Sequence, residues 1–200
     1  MADRDNSVNI ARANRAYHHG DLRQALIDAG MELLRTRAIS DLSLREVARA
    51  VGVSPTAVYR HFPDKAALLY ALCEEGAQAL ARMQAEAMAG ASDAGTGFDA
   101  TGRAYVRFAL RNPALYRLMM STRPPIGHFS GDVSAVNAAM GVLRENVSRL
   151  MPPGTSPERQ RRAAIHAWSL VHGMAMLMLD GQIPADDSTI ESISRTAILQ

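Results

Sequence analysis

Apolar residues recur along much of this chain at intervals of three and four, the spacing that builds one face of an α-helix. The pattern predicts helices at 21–35, 64–89, 98–111, 113–120, 132–150, 157–180 and 186–199. Two shorter helices are predicted within residues 43–62. No segment alternates apolar and polar residues convincingly enough to indicate a β-strand. The sequence therefore predicts an all-α fold of about nine helices.

Residues 43–62 carry the most specific pattern, because they read as two short helices joined by a turn at Gly52. Glycine can adopt the positive φ that ends one helix and redirects the backbone. Apolar or small residues occupy the positions at which two crossing helices touch: Leu44, Val47, Ala48, Val51, Val53 and Val58. This arrangement is typical of a helix-turn-helix unit, whose second helix enters the major groove of DNA.

Polar residues mark the start of each helix in this pair. Ser43 is expected to cap the first helix, with Glu46 completing a capping box. Ser54 and Pro55 are expected to start the second helix in a similar way. The second helix then exposes side chains able to bind phosphate oxygens or base edges: Thr56, Tyr59, Arg60 and His61.

The next helix begins beside another candidate phosphate contact. Asp64 is expected to cap it, and Lys65 stands in its first turn. A cation and unpaired backbone N–H groups at a helix start favour an anion such as phosphate. The alternative is a helical hairpin within some all-α enzyme or scaffold, its polar side chains merely solvated.

Charge adds little to this interpretation. The formal net charge is +2, residues 1–65 hold ten Lys and Arg against eight Asp and Glu, and residues 66–200 hold twelve of each. The excess in the N-terminal third agrees with DNA binding there without identifying it. It is too small for an architectural protein that binds DNA regardless of sequence.

The sequence supports no disulfide, metal site, cofactor or membrane segment. Cys73 is the only cysteine, which excludes an internal disulfide and a cysteine-rich metal site. His18 and His19 would point apart on a helix and lack suitably spaced partner ligands, so capping or phosphate contact is favoured over a metal. No cofactor or metal is predicted. A signal-peptide pattern and the ~18 apolar residues needed to cross a bilayer are both missing, so a cytoplasmic protein without membrane contact is expected.

The pattern divides the chain into an arm and two domains. Residues 1–17 are polar and aperiodic, which indicates a mobile arm that either reaches a neighbouring DNA groove or has no role. Residues 18–65 are interpreted as the DNA-binding domain and residues 66–200 as an effector-binding and dimerisation domain. The segment GASDAGTG, residues 90–97, is interpreted as a flexible break.

The helix at 157–180 is apolar on two faces. One face carries Ile165, Trp168, His172, Ala175 and Leu179, and the other carries Ala167, Val171, Met174 and Met178. Such a helix must be covered on both sides, which predicts a homodimer through the last two helices. Two recognition helices about one helical turn (~34 Å) apart would then read a pseudo-palindromic operator.

Three parts of the chain together resemble the tetracycline-repressor (TetR) family: YHHGDLRQALIDAGMELL, LSLREVARAVGVSPTAVYRHFPDKAALL and the all-α remainder. Trp168, His172 and Gly173, with YVRFALRNPALYRLMM upstream, look like a subgroup with a Trp-His-Gly (WHG) signature. The resemblance implies a dimeric transcriptional regulator, usually a repressor, whose C-terminal domain binds a small effector and changes the spacing of the DNA-reading heads. Ala38 departs from the glycine that relatives commonly have after the first helix.

The same resemblance implies which side chains contact DNA. The recognition helix would use Ser54, Pro55, Thr56, Tyr59 and His61. Lys65 matches the family's phosphate-binding lysine. Ser43 and Arg45 lie at the start of the preceding helix, which also touches the DNA backbone.

Seven residues of the C-terminal domain are candidates for effector contact: Tyr105, Phe108, Tyr116, Met119, Met120, Trp168 and His172. They combine apolar bodies with a few polar tips, which is usual for small-molecule pockets. The alternative is that they fill the core, since methionine and aromatic residues at helical spacing often do so.

Two other functions remain open alternatives. One is an all-α enzyme with His128, His166 or His172 as a catalytic base, although no Gly-rich phosphate loop, G-x-S-x-G or H-E-x-x-H motif supports it. The other is a transcriptional activator of the same fold. The sequence predicts a ligand-responsive DNA-binding repressor that is not an enzyme.

Overall fold

The computed structural model describes residues 22–121 and 135–193, and only the backbone of residues 135–141. The predicted arm, His18, His19 and His128 lie outside the described residues. Nine α-helices are present in the described part: α1 (Leu22–Thr36), α2 (Leu44–Val51), α3 (Pro55–Tyr59), α4 (Lys65–Ala89), α5 (Ala94–Arg111), α6 (Pro113–Ser121), α7 (Ala135–Leu150), α8 (Pro157–Leu179) and α9 (Asp187–Glu191). A 3₁₀ turn, Ile39–Asp41, precedes α2. The predicted all-α fold is confirmed.

The residues group into two compact units, which divide between Leu72 and Cys73 inside α4. In the first unit α1 packs against α2, and α2 against α3. Its core is made of side chains that each expose less than a tenth of their surface: Leu26, Ile27, Leu34, Leu42, Leu44, Val47, Ala48, Val58, Phe62, Leu68 and Leu72. The short helices α2 and α3 are therefore held by the apolar face of α1 and the first turns of α4.

The second unit is organised around α5, which packs against α6, α7, α8 and α9. One part of its core joins Phe98 of α5, Val147 of α7 and three alanines of α8, namely Ala163, Ala164 and Ala167. Alanine side chains allow helix axes to approach closely, and this lets larger residues at the edges of the contact reach across it. None of the described helices has the length and apolar character needed to cross a lipid bilayer.

The flexible break expected at residues 90–97 is wrong for its second half, because α5 already begins at Ala94. The Asp93 carboxylate accepts hydrogen bonds from the backbone N–H groups of Gly95 at 2.8 Å and Thr96 at 3.0 Å. The Thr96 hydroxyl accepts from the Asp93 N–H at 3.3 Å, which completes a capping box. These hydrogen bonds also lower the pKa of Asp93. Gly97 lies against the Met88 sulfur, where a Cβ would collide, so this glycine serves packing.

The predicted helix at 186–199 is also wrong in its extent. Asp186 caps α9 by accepting from the Thr189 N–H at 2.8 Å, but the helix ends at Glu191. The Ser192 hydroxyl donates to the Thr189 carbonyl at 2.6 Å and competes with the backbone bond that would extend the helix. Residues 194–200 lie outside the described part of the chain.

The residues of α8 that are buried do not follow the two predicted apolar faces. The buried residues of this helix are Ala163, Ala164, Ala167, Val171, Ala175 and Met178. Ala175 is therefore buried, although it was placed on one face with Ile165, which exposes 42% of its surface. Leu177 is likewise exposed by 46%. One side of α8 thus packs within its own unit while large apolar side chains remain on the surface.

Replacing Gly52 with alanine should destabilise the first unit. Gly52 has φ 78° and ψ 30°, a left-handed conformation that strains residues with a Cβ. Apart from the adjacent residues of the chain, no atom lies within 4 Å of a Cβ built at this position, so the cost should come from the backbone conformation. We expect Gly52→Ala to lower the free energy of unfolding by about 1 kcal/mol in urea titrations. Gly90→Ala, with a Cβ in ordinary contact, is the control, and equal stability of the two variants would contradict the expectation.

Candidate functional site

The turn between α2 and α3 has the predicted helix-turn-helix geometry. The Gly52 N–H donates to the carbonyls of Ala48 at 2.9 Å and Arg49 at 3.2 Å, which ends α2. The Ser54 hydroxyl accepts from the Ala57 N–H at 3.3 Å, and Pro55 occupies the first position of α3. Val58 is completely buried and anchors α3 on the core. The cap and turn residues were therefore interpreted correctly from the sequence.

The predicted DNA-contacting residues of α2 and α3 share one property, which is exposure. The exposed members are Arg45, Ser54, Pro55, Thr56, Tyr59 and His61, while Ser43 is half-buried. Tyr59 leaves 49% of its surface uncovered, which is unusual for a large aromatic residue. Arg60 is exposed beside it. The first unit thus presents hydroxyl, imidazole, phenol and guanidinium groups on its surface.

Ser43 and Glu46 form only part of the predicted capping box. The Ser43 hydroxyl accepts from the Glu46 N–H at 3.2 Å, which confirms the cap. The Glu46 carboxylate, however, accepts from the Ser43 hydroxyl at 3.3 Å and forms an ion pair with Arg37 instead of closing the box on the backbone. Arg37 thereby balances an acidic group at the start of α2, close to the residues proposed to contact phosphates.

Lys65 is placed differently from a simple solvent-facing phosphate contact. Its ammonium donates to the carbonyls of Ile39 at 3.0 Å and Ser40 at 3.1 Å. A lysine ammonium has three N–H donors, so these bonds use two. The Asp64 carboxylate caps α4 as predicted, by accepting from the Ala67 N–H at 2.8 Å. Lys65 therefore joins the start of α4 to the turn that leads into α2.

One contact of the first unit was missed by the sequence analysis. The Arg23 guanidinium lies 5.5 Å from the ring centroid of Phe62, which is 2% exposed. A cation over an aromatic face is attracted by the negative face of the ring. No local pattern signals this pair, because the residues belong to distant parts of the sequence.

Five of the seven predicted effector residues form a single cluster between α5, α6 and α8. The Trp168 indole N–H donates to the Tyr105 hydroxyl at 3.2 Å. The Tyr105 and Tyr116 hydroxyls are 3.0 Å apart, and the Tyr116 hydroxyl lies 2.6 Å from His172 Nδ1. The Met120 sulfur is 4.0 Å from the Tyr105 hydroxyl. These polar tips thus satisfy one another.

The rings of this cluster also contact each other. Tyr105 and Tyr116 meet edge to face with centroids 5.7 Å apart, and the His172 ring lies 5.9 Å from Tyr116 and 5.8 Å from Trp168. Burial raises the pKa of Tyr105 and of Tyr116, and their mutual hydrogen bond raises the pKa of Tyr116 further. Burial lowers the pKa of His172. At neutral pH the cluster is therefore polar but uncharged.

The two remaining candidates, Phe108 and Met119, are buried in helix packing, with 2% and 5% of their surfaces exposed. The Met119 sulfur lies 2.8 Å from the position that a Cβ on Gly76 of α4 would occupy. Across residues 22–121 and 135–193, no group of three or more His, Cys, Asp and Glu side chains is arranged to hold a metal ion.

Two family models match this chain. A family model described as "Bacterial regulatory proteins, tetR family" matches residues 26–72, and one described as "Tetracyclin repressor-like, C-terminal domain" matches residues 98–198. A structurally similar protein of unknown function from Rhodococcus sp. RHA1 is 33% identical, with a TM-score of 0.74 over 90% of this chain and 93% of that one.

Two further structures share the fold. A TetR family transcription regulator from Marinobacter aquaeolei VT8 is 18% identical, with a TM-score of 0.61 over 88% of this chain and 93% of that one. A TetR variant from Acinetobacter baumannii AYE, solved in complex with minocycline, is 23% identical, with a TM-score of 0.56 over 84% and 86% of the two chains.

The helix-turn-helix unit and the separate all-α unit are those of a DNA-binding transcription regulator with a ligand-binding domain. The chain belongs to the TetR family of bacterial regulatory proteins. Members of this family are transcription regulators rather than enzymes.

Acidification should destabilise the protein through His172. Burial holds its pKa below the ordinary value of 6.5, because the charged imidazolium is disfavoured in the folded state. As the pH falls past 6.5 the unfolded chain takes up this proton first, so stability declines until the pH passes the lower folded-state pKa.

Urea unfolding at about pH 7.5 and about pH 5.5 measures this effect. We expect the loss of stability between the two conditions to be smaller for His172→Asn than for the wild type. His166→Asn, which alters an exposed histidine of α8, should keep the wild-type loss. An equal loss in all three proteins would show that His172 does not contribute.

Proposed function

We propose that this protein is a ligand-responsive repressor that binds a pseudo-palindromic operator as a homodimer in the cytoplasm. The observation that carries the proposal is the exposed polar surface of α3 on a capped helix-turn-helix unit, where Thr56 and Tyr59 are free to meet base edges or phosphates. Ser54, Pro55 and His61 extend this surface along the same helix and just beyond it. The other function is an activator of the same fold, and the position of the operator relative to the promoter decides between the two.

Contacts to the DNA backbone are assigned to α2 and α4. Arg45 is exposed on α2 one residue after its start, and Ser43 caps that helix. Lys65 contributes the third N–H of an ammonium whose other two donors hold the turn before α2. Phosphate contacts fix the register of a protein on DNA, while the base contacts of α3 provide the sequence preference.

The second unit supports effector binding through the cluster of Tyr105, Tyr116, Met120, Trp168 and His172. Aromatic walls with a few polar groups are the usual chemistry of small-molecule sites. The similar fold from Acinetobacter baumannii holds minocycline, which shows that this architecture accommodates a small molecule in that protein. We assign Phe108 and Met119 a supporting role behind the cluster. We also place the chain in the WHG subgroup on Trp168, His172 and Gly173.

Dimerisation is assigned to exposed apolar side chains of α8 and α7. In the second unit, the described large apolar residues with the greatest exposure are Val142 of α7, at 50%, and Ile165 and Leu177 of α8. Ile190 of α9 and Ile193 just after it serve a different purpose, since both are buried within their own unit. The proposed interface therefore moves from the last two helices of the sequence prediction to α7 and α8.

The proposed mechanism is a population shift. An effector can lower operator affinity only if it binds more tightly to the dimer whose reading heads do not match successive major grooves. Effector and operator affinity are then coupled reciprocally.

Operator binding is tested with the DNA upstream of the protein's own gene. Each phosphate contact that is lost should reduce the slope of log affinity against log salt by about 0.9. We expect Arg45→Ala to lower this slope by about that amount, and Tyr59→Ala to weaken binding by at least tenfold, or about 1.4 kcal/mol. Arg159→Ala removes an exposed arginine from α8 and should match the wild type. If DNA binding in an electrophoretic mobility-shift assay does not change with salt or with either substitution, the proposal is wrong.

The dimer is tested by sedimentation equilibrium. A charge in a packed apolar interface would be left without a partner, so we expect Leu177→Arg to give a monomer. Gln182→Arg adds the same charge at an exposed position after α8 and should leave the dimer intact. A monomeric wild type, or a dimeric Leu177→Arg variant with native helix content, would contradict the assigned interface.

A further inference from the structure

The direction of the hydrogen bonds in the aromatic cluster can be worked out from its donors. The Trp168 indole N–H can only donate, so the Tyr105 oxygen accepts from it at 3.2 Å. The Tyr105 hydroxyl is then free to donate to Tyr116 at 3.0 Å, and the Tyr116 hydroxyl to His172 Nδ1 at 2.6 Å. In this arrangement each hydroxyl hydrogen has an oxygen or nitrogen acceptor, and Nδ1 carries no proton.

The opposite arrangement is less favourable. His172 Nδ1 lies 3.3 Å from the Tyr105 hydroxyl and 2.6 Å from the Tyr116 hydroxyl, so Tyr116 is its closer partner. If Nδ1 carried a proton, it would donate to Tyr116, and Tyr116 would donate to Tyr105. The Tyr105 oxygen would then accept twice, and its own hydrogen would be left with the Met120 thioether at 4.0 Å. A thioether is a weak acceptor, so one buried hydroxyl would lose most of its hydrogen bond. The geometry therefore favours an unprotonated Nδ1.

A neutral imidazole with an unprotonated Nδ1 has its proton on Nε2. The ring nitrogens point in different directions, so Nε2 is turned away from the two tyrosine hydroxyls. His172 is half-buried, whereas Tyr105 and Tyr116 are buried. Among the polar atoms of the described cluster, the Nε2–H is then the donor that the internal chain does not use.

We propose that the effector is an uncharged, largely apolar molecule that presents a carbonyl-like oxygen to the Nε2–H of His172. This inference rests on the proposed effector function of the cluster and specifies the chemistry of its ligand. Every other donor of the cluster is already engaged in an internal hydrogen bond, whereas an acceptor at Nε2 adds one without breaking any.

The charges on the neighbouring helices support an uncharged ligand. Three arginines of the helices that carry the cluster are paired: Arg103 and Arg107 of α5 with Glu191 of α9, and Arg117 of α6 with Asp180. A carboxylate ligand would have to compete for these cations. A cationic ligand would face the donor Nε2–H. A buried carboxylate without a cationic partner is costly, and a cation is repelled by the positive end of the Nε2–H dipole, so either would bind less well than a neutral acceptor.

The proton position is tested by nuclear magnetic resonance on the full-length protein with ¹⁵N-labelled histidine. Two-bond correlations between ring nitrogens and carbon-bound protons distinguish the two neutral tautomers from imidazolium. His172→Gln identifies the signals of His172 by their disappearance. We expect an unprotonated Nδ1 and a protonated Nε2 at neutral pH. A proton on Nδ1, in either the neutral or the charged ring, would overturn the inference.

The ligand chemistry is tested with four probes of similar size: acetophenone, ethylbenzene, benzoate and benzyltrimethylammonium. Trp168 is the only tryptophan, so its fluorescence reports binding at the cluster. We expect saturable binding of acetophenone that is at least about tenfold tighter than that of the other three, as one added hydrogen bond would give. Binding of none of them, equal binding of ketone and hydrocarbon, or tighter binding of either ion would overturn the proposal.

Two variants at position 172 separate the roles of the two ring nitrogens. Asparagine can place an acceptor near Nδ1 without a donor at Nε2, and glutamine can place an amide donor near Nε2. His172→Asn should therefore lose the preference for acetophenone over ethylbenzene, while His172→Gln should retain part of it. A preference that persists in His172→Asn would show that another group binds the ketone.

An electrophoretic mobility-shift assay with operator DNA, run on the same protein samples, distinguishes a failure of this inference from a failure of the proposed function. If the protein does not bind DNA but prefers the ketone in a way that depends on His172, the proposed repressor function is wrong and the ligand assignment is supported. If DNA is bound specifically but the preference does not depend on His172, the ligand assignment fails alone.

Discussion

The close approach of α5 and α8 is the constraint on which the second unit depends. A Cβ on Gly102 of α5 would lie 3.2 Å from the Val171 Cγ1 of α8, so the missing side chain sets the distance between the helices. Tyr105 follows Gly102 by one helical turn and therefore faces the same neighbour. Trp168 and His172 flank Val171 along α8, which brings both within hydrogen-bonding distance of the Tyr105 hydroxyl. The polar cluster thus exists because a glycine lets two helices meet.

Elements whose causes are local could be predicted from the sequence. The caps at Ser43 and Ser54 and the turn at Gly52 depend on residues within four positions of each other, and all three were identified correctly. The start of α5 was missed because Gly95 and Gly97 were interpreted as signs of flexibility. Gly97 instead makes room for Met88 of the preceding helix, a contact that no local pattern reveals.

In the candidate sites too, only features set by residues close together in the sequence could be predicted. The exposed polar residues of α3 and the spacing of Trp168 and His172 could be predicted from the sequence, because each set lies on one helix. Their partners were not, since Tyr105 and His172 are 67 positions apart and Lys65 meets Ser40 across 25. Polar tips that had been assigned to a ligand proved to bind one another, because burial demands a partner for every hydroxyl. Only tertiary packing decides which partner that is.

The bonds of Lys65 have a mechanical consequence for the DNA-reading helices. The Ile39 and Ser40 carbonyls belong to the 3₁₀ turn that leads into α2, and both are held by a side chain of the first turn of α4. Because one ammonium holds both carbonyls, these bonds favour movement of the entrance to α2 together with the first turn of α4.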